Sequence, residues 1–200
     1  MSDKFSMLLE QIHGLERELV DEIHKKEQHF GYEVREKKVY FTEAVNAEHK
    51  KLTKSLASYL KDANVFSILT APFIWSCLIP ILLMDAVMSL YQFVCFPIYG
   101  IPKVRRSEYV VLDRFKLGYL NRFEKLNCLY CEYANGAIAY VQEIAGRTEQ
   151  YWCPIKHAMR MKTMHSRYQK FFDYGDAEQY RRRLEEVRQS FEDLKKDESR

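Results

Sequence analysis

Apolar residues recur every eleven positions along the first third of the chain. Two such series run four residues apart through residues 4–62, a stretch without proline. Because eleven residues make three helical turns, both series lie on one helix face, and any supercoil is right-handed. The pattern predicts a long helical stem over residues 1–64. Its coiled-coil-like seam consists of Leu8, Ile12, Leu19, Ile23, Phe30, Val34, Phe41, Val45, Leu52 and Leu56.

So narrow an apolar stripe is typical of a helix that pairs with another helix, not of one that covers a globular core. We therefore expect a homo-oligomer or a helical protein partner. Two alternatives remain open. Amphipathic helices with this period also lie on lipid, and a break near Gly31 would fold the stem back into a hairpin.

An apolar insert follows over residues 65–102, where Asp85 is the only charged residue. The twenty residues from Val65 to Met84 suffice to cross about 30 Å of hydrocarbon, and seventeen uncharged residues follow Asp85. A straight helix over the whole insert would be about 55 Å long, too long for one crossing without strong tilt. The sequence thus predicts a membrane hairpin that turns near Pro80 and Asp85.

The membrane anchor predicted from this insert has a basic flank on each side. Lysines precede it and lysine and arginine follow it, as expected if both polar ends lie in the cytoplasm. Membrane lipid is therefore an expected partner. One span plus an interfacial helix, or a soluble hairpin buried in protein, remain open. The residues assigned to the anchor are Val65, Trp75, Pro80, Asp85 and Pro97.

Four candidate metal ligands lie in the next region, residues 103–175. Cys128 and Cys131 form a C-x2-C pair, and Cys153 and His157 form a C-x3-H pair after 21 intervening residues. Thiolate and imidazole pairs at such spacing are typical of tetrahedral zinc sites. Asn135-Gly136 predicts a turn, and the apolar positions of 137–148 predict a helix that brings the pairs together. We predict a small helical domain with a structural Cys3His zinc site.

Three other interpretations of these cysteines remain open: an iron–sulfur cluster, a redox dithiol at Cys128 and Cys131, and unliganded thiols. Five cysteines is an odd number, and the N-terminus lacks a signal-peptide pattern, so we expect a reducing compartment. A filled Cys3His site leaves no position for a reactive water. We therefore assign no catalytic residue.

The segment around the cysteines resembles a family of uncharacterised bacterial proteins with a C-x2-C…C-P-x2-H arrangement. The resemblance rests on NCLYCEYANG at 127–136, RTEQYWCPIKHA at 147–158 and FDYGDA at 172–177. It implies a bacterial source and hence an inner membrane. It implies nothing about activity, substrate or partner.

The last region, residues 176–200, predicts a C-terminal amphipathic helix that starts at Asp176 as N-cap with Gln179 three residues on. Glycine and proline are scarce, 7 and 5 of 200 residues, which favours few and long elements. The net charge of +3 gives no reason to expect nucleic-acid binding.

These features predict an all-α protein with a stem, a membrane hairpin, a metal-binding domain and a terminal helix. The function we expect is that of a membrane-anchored scaffold or interaction protein, non-enzymatic, in the inner membrane. The alternative is a membrane-tethered redox protein with an iron–sulfur cluster or a reactive dithiol at the same cysteines.

Overall fold

The computed structural model describes residues 2–35, 38–62 and 64–197, and it is mostly helical. Two single turns of 3-10 helix cover Arg114–Lys116 and Tyr168–Lys170. The α-helices are α1 (Ser2–Phe30), α2 (Glu43–Leu52), α3 (Leu56–Asp62), α4 (Val65–Ser76), α5 (Leu78–Tyr99), α6 (Arg106–Tyr109), α7 (Arg122–Trp152), α8 (Ala177–Gln189) and α9 (Glu192–Asp197). A small antiparallel sheet of β1 (Tyr32–Arg35) and β2 (Lys38–Phe41) departs from the all-α prediction.

The stem predicted as one long helix ends at Phe30. Gly31 follows with a φ of 61°, in the left-handed region that glycine adopts without strain. The residues after it alternate in the two-residue period of a strand, and Tyr32 pairs with Phe41 and Val34 with Val39. The prediction of a continuous helix through residue 62 is therefore wrong, because β-branched and aromatic residues after Gly31 favour a hairpin.

The predicted seam is consequently divided among several elements. Leu8 and Ile12 lie on α1, but their side chains fall outside the described part of the structure. Val34 and Phe41 lie on the hairpin, Val45 and Leu52 on α2 and Leu56 on α3. The seam residues with strongly exposed side chains are Leu19, Ile23, Phe30, Val34, Leu52 and Leu56.

Within the described residues the chain forms two compact units, which we call unit 1 and unit 2. Unit 1 contains residues up to 62 together with 113–127. Unit 2 contains 64–112 and the residues from 128 onwards. The apolar insert therefore belongs to unit 2, whereas the segments that precede and follow it both contribute to unit 1.

Unit 1 joins the chain before the insert to the chain after it. The Thr53 hydroxyl donates a hydrogen bond to the carbonyl oxygen of Gly118, at 2.9 Å. The His49 ring packs edge-on against Tyr119, with 5.0 Å between centroids. A Cβ atom at Gly118 would lie 2.9 Å from His49 Cβ, so only glycine permits this approach.

Unit 2 is built on α5 and α7, which run side by side in the same direction. Ser89 on α5 contacts Tyr140 on α7, and nearer the C-terminal ends of both helices Tyr99 stacks on Tyr151. Residues 101–110, which we call the return strap, lie against both helices. The buried apolar core of unit 2 consists of Phe96, Ile101, Val104, Tyr140, Ile144 and Phe191.

Helix α7 continues through Asn135 and Gly136, where the sequence predicted a turn. A Cβ atom at Gly136 would lie 2.6 Å from the carbonyl oxygen of Tyr109, so the glycine allows the return strap to touch the helix. The Asn135 side chain donates back to the carbonyl oxygen of Cys131 at 2.8 Å, inside the helix. The turn prediction is wrong because this glycine serves close packing.

The C-terminal region begins as predicted. The Asp176 carboxylate accepts a hydrogen bond from the backbone N–H of Gln179 at 3.0 Å, and α8 starts at the next residue. The buried guanidinium of Arg167 attaches α9 to the rest of unit 2 through Asp193, at 2.7 Å.

Candidate membrane-binding helix and its buried polar row

The apolar insert is helical almost throughout. Cys77, between α4 and α5, keeps helical dihedral angles of −63° and −17°. Within the described residues, Val65–Tyr99 is the one helix long and apolar enough to cross a membrane. Its 35 residues correspond to about 52 Å.

The predicted hairpin turn is absent from this helix. Pro80 and Asp85 both lie inside α5. Pro80 occupies the first turn of α5, where a backbone N–H has no intrahelical acceptor, so the helix tolerates it. Pro97 lies in the last turn of α5, and Val65 is the first residue of α4. The helix therefore does not reverse, and the hairpin prediction is wrong.

The outward surface of this helix is uncharged along its whole length. The only charged or amide side chains in Val65–Tyr99, Asp85 and Gln92, are just 6% and 7% exposed. The outward positions are mostly apolar, with the exposed hydroxyl residues Ser67, Thr70 and Ser76 on α4, in contrast to a water-facing helix, which exposes charged residues. The most exposed of these apolar residues are Val65, Phe66, Phe73, Ile79, Leu83, Leu90, Phe93 and Ile98.

Two exposed hydroxyl groups of α4, those of Thr70 and Ser76, form hydrogen bonds within their own helix. The Thr70 hydroxyl donates to the carbonyl oxygen of Phe66 at 2.8 Å, and the Ser76 hydroxyl donates to that of Phe73 at 2.7 Å. Hydrocarbon offers no hydrogen-bond partner, so a lipid-exposed helix requires this self-satisfaction.

Polar groups in α5 instead form a row that faces the return strap and α7. The Asp85 carboxylate accepts hydrogen bonds from Arg106 Nη2 at 2.8 Å, from the Tyr133 hydroxyl at 2.7 Å and from the Ser89 hydroxyl at 3.3 Å. These contacts neutralise the only charge of the apolar helix. The hydrogen bond to Asp85 raises the pKa of Arg106. Burial raises the pKa of the Tyr133 hydroxyl, and the hydrogen bond to the Asp85 carboxylate raises it further.

Gln92 extends the row by one helical turn. Its amide oxygen accepts from the backbone N–H of Val104 at 2.9 Å, and its amide nitrogen donates to the Val104 carbonyl oxygen at 3.3 Å. The amide nitrogen also contacts the Tyr140 hydroxyl. The Gln92 side chain thus forms hydrogen bonds with both the backbone N–H and the backbone carbonyl of Val104, as a neighbouring β-strand would.

The polar row was not predicted as such, because we placed Asp85 at a turn. A signal was present in the sequence: Asp85, Ser89 and Gln92 are spaced by 4 and 3, which places them on one helix face. Their partners Arg106, Tyr133 and Tyr140 carry no comparable signal, since they lie far along the chain.

A second buried charge pair lies between α7 and the return strap. Arg147 Nε lies 2.9 Å from Glu143 Oε1, and both side chains are buried. Arg147 Nη1 donates to the carbonyl oxygens of Pro102 and Lys103, at 2.9 and 3.2 Å. Burial and the nearby Glu143 raise the pKa of the Tyr109 hydroxyl. Like Asp85, these charges are turned into unit 2 and not outward.

Trp75, the remaining residue assigned to the anchor, lies near the end of α4 and is partly buried. Its ring contacts Tyr130 of α7, with 5.1 Å between centroids. The Tyr130 hydroxyl donates to the carbonyl oxygen of Ile74 at 2.9 Å. Helix α7 therefore packs against the apolar helix from Ile74 onwards.

The four predicted metal ligands do not converge. Cys128 and Cys131 lie in α7, whereas Cys153 follows its last residue, so 25 helical positions, about 37 Å, separate Cys128 from Cys153. His157 stacks on Tyr168. In the part of the chain that the structure describes, no three His, Cys, Asp or Glu side chains are grouped to hold a metal ion.

A Cys3His zinc site and an iron–sulfur cluster both require donor atoms that converge on one point, and these four side chains do not provide them. The remaining form of the redox alternative is the pair Cys128 and Cys131, which are neighbours at i and i+3 on one helix. All five cysteines are present as free thiols.

No protein-family model, curated protein or solved structure matches this chain. The resemblance of residues 127–136, 147–158 and 172–177 to a bacterial family therefore stays a prediction. The bacterial source and the inner membrane that it implies stay predictions as well.

Proposed function

We propose that this chain is a membrane-anchored helical interaction protein whose anchor is the helix Val65–Tyr99. One observation carries the proposal: the outward surface of this helix is uncharged and mostly apolar along its length, and Asp85 and Gln92 are turned inward. A continuous apolar surface of this extent is unstable in water and fits a lipid environment. The inner membrane of a bacterium is the location we propose.

The interaction role is supported by α1. Its apolar residues with described side chains are exposed, and all of them except Val20 lie on the face that the eleven-residue period defines. An apolar stripe on a helix suits a partner helix, either from a second copy or from another protein. The residues that form this open stripe are Leu15, Leu19, Ile23 and Phe30.

Membrane association is tested by fractionating cells that produce the full chain. We expect the protein to sediment with membranes in high salt, to float with them in a density gradient, and to be released only by detergent. Recovery of the wild-type chain in the soluble fraction would contradict the proposal.

A pair of matched variants locates the anchor. Leu90 on α5 and Leu15 on α1 are equally exposed, at 64%. Arginine in place of a lipid-facing leucine is costly, so Leu90→Arg should shift protein into the soluble fraction. Leu15→Arg should leave the distribution unchanged. Equal behaviour of the two variants would show that the apolar helix is not the anchor.

A further inference from the structure

The two ends of the apolar helix lead into segments that are packed together. Thr53, before the helix, donates to the carbonyl oxygen of Gly118, after it, at 2.9 Å. Lys116 Nζ lies over the Tyr40 ring, 5.6 Å from its centroid. These contacts lie within unit 1. A helix that crossed a bilayer once would place the two segments on opposite faces and break unit 1 apart, unless the return strap crossed back beside it.

The helix itself does not reverse direction within the apolar segment. Residues 65–99 continue without reversal, because Pro80 and Asp85 lie inside α5 and Cys77 keeps helical angles. Two crossings by this helix would require a turn within it. One crossing would require either that the flanks separate or that the return strap crosses back. The contacts of unit 1 together with the unreversed helix therefore fit a helix that enters and leaves at the same face without crossing.

Helix α7 lies beside the apolar helix over a length that also argues against a crossing. Contacts to α7 extend from Ile74, beside Tyr130, to Tyr99, beside Tyr151. These 25 positions correspond to about 37 Å, more than the hydrocarbon thickness of about 30 Å. A crossing along this length would carry the charged return strap into hydrocarbon. The nine residues before Ile74 span only about 14 Å, too little to cross.

The charge beside the apolar surface indicates which lipid it meets. Lys103, on the return strap, is exposed and places Nζ 4.5 Å from the centroid of the Phe93 ring, at the edge of the outward surface. An ammonium group next to a lipid-facing aromatic ring lies at the depth of the headgroups, where it attracts anionic phosphate.

We infer that the helix Val65–Tyr99 lies in the plane of the membrane, with its outward face in one leaflet of anionic phospholipid. Both segments of unit 1 then stay on the same side of the bilayer. This inference rests on the proposed membrane association and specifies its geometry. An interfacial helix of this kind immerses its apolar face to the level of the upper acyl chains.

The inference is tested by labelling cysteines in sealed membrane vesicles of known orientation. A full-length chain with Cys153 as its only cysteine reports the segment after the helix. A second chain, without native cysteines and with Ala47→Cys on α2, reports the segment before it; both positions are exposed. We expect an impermeant maleimide to label both in the same vesicle orientation and neither in the opposite one.

The outcomes separate the inference from the proposal on which it rests. Labelling of the two cysteines in opposite orientations would show a crossing and overturn the inference, while leaving membrane anchoring intact. Loss of the protein from the vesicles would overturn the proposed function instead.

A second measurement gives the depth of the helix. A Trp152→Phe chain retains Trp75 as its only tryptophan. In liposomes containing phosphatidylglycerol, bromine atoms near the headgroups should quench Trp75 fluorescence more than bromine atoms at the bilayer centre. Stronger quenching from the centre would contradict the in-plane arrangement, because a crossing helix places residue 75 there. The matched Trp75→Phe chain should show little quenching by either lipid.

The lipid preference is tested by synthesising the full chain in a cell-free system with liposomes. More protein should float with phosphatidylglycerol-containing liposomes than with phosphatidylcholine alone. Lys103→Glu should reduce this difference. Equal flotation with both lipids would contradict the assignment to anionic phospholipid.

Discussion

Helices α4 and α5 belong to the same apolar segment but satisfy their polar groups in opposite ways. In α4, Thr70 and Ser76 bond to carbonyl oxygens of their own helix. In α5, Asp85 and Gln92 bond to the return strap and α7. Most side chains of α4 are therefore exposed, whereas α5 turns one face to the return strap and α7 and leaves the other face uncovered. Hydropathy alone does not reveal this difference, because both helices are strongly apolar.

The largest effect is expected where α5 depends on a charge from another element. Arg106→Ala would leave the buried Asp85 carboxylate without its cation and should cost about 3 kcal/mol in the free energy of unfolding, measured in detergent micelles. The double variant Asp85→Leu, Arg106→Met should recover most of that loss, since it removes the uncompensated charge.

The matched change in α4 is Ser76→Ala, which removes a hydroxyl bonded only to its own helix. It should change the free energy of unfolding by less than about 0.5 kcal/mol. A loss as large as that of Arg106→Ala would remove the distinction between the two helices.

An intermediate effect is expected at the contact that holds the return strap on α7. Gly136→Val would force a side chain against the Tyr109 carbonyl oxygen, and we expect a loss of about 2 kcal/mol. Gly14 on α1 has nothing within 4 Å of its Cβ position, so Gly14→Ala should be neutral or stabilising by about 1 kcal/mol. Thermal unfolding of both variants checks the pair, and an unaffected Gly136→Val would argue against the close strap contact.

Gln92 is expected to give the smallest of the three losses, after Arg106 and Gly136. Gln92→Leu would leave the backbone N–H and carbonyl of Val104 without their side-chain partner, at a cost of about 1–2 kcal/mol. Hydrogen exchange at the Val104 amide should accelerate in parallel. Thr70→Val on α4 is the control, and we expect its unfolding free energy to match that of the wild type. An unchanged Val104 exchange rate would show that Gln92 does not hold the strap.

Local features of this fold were predictable from the sequence. The apolar character of the helix follows from a run of residues in which Asp85 is the only charge, and the start of α8 follows from the cap formed by Asp176 and Gln179. Both depend on residues within a few positions of one another, where periodicity and capping rules apply directly.

Features that depend on distant partners were not predictable. Asp85 and Pro80 were interpreted as a turn because a charge inside an apolar run is expensive, yet Arg106 and Tyr133 supply its partners. Gly136 was interpreted as a turn because its tertiary contact with Tyr109 is invisible in the sequence. The predicted zinc site depended on that turn, and an uninterrupted α7 keeps the cysteines apart.

The contact between Thr53 and Gly118 also sets the order in which the molecule can assemble during synthesis. Unit 1 cannot close until residues 113–127 have left the ribosome, and by then the whole apolar helix, which precedes them in the chain, has left it as well. Helix α7, which shields one face of α5, emerges later still. The growing chain therefore exposes its most apolar segment before α7 can cover one face of it and before unit 1 can close.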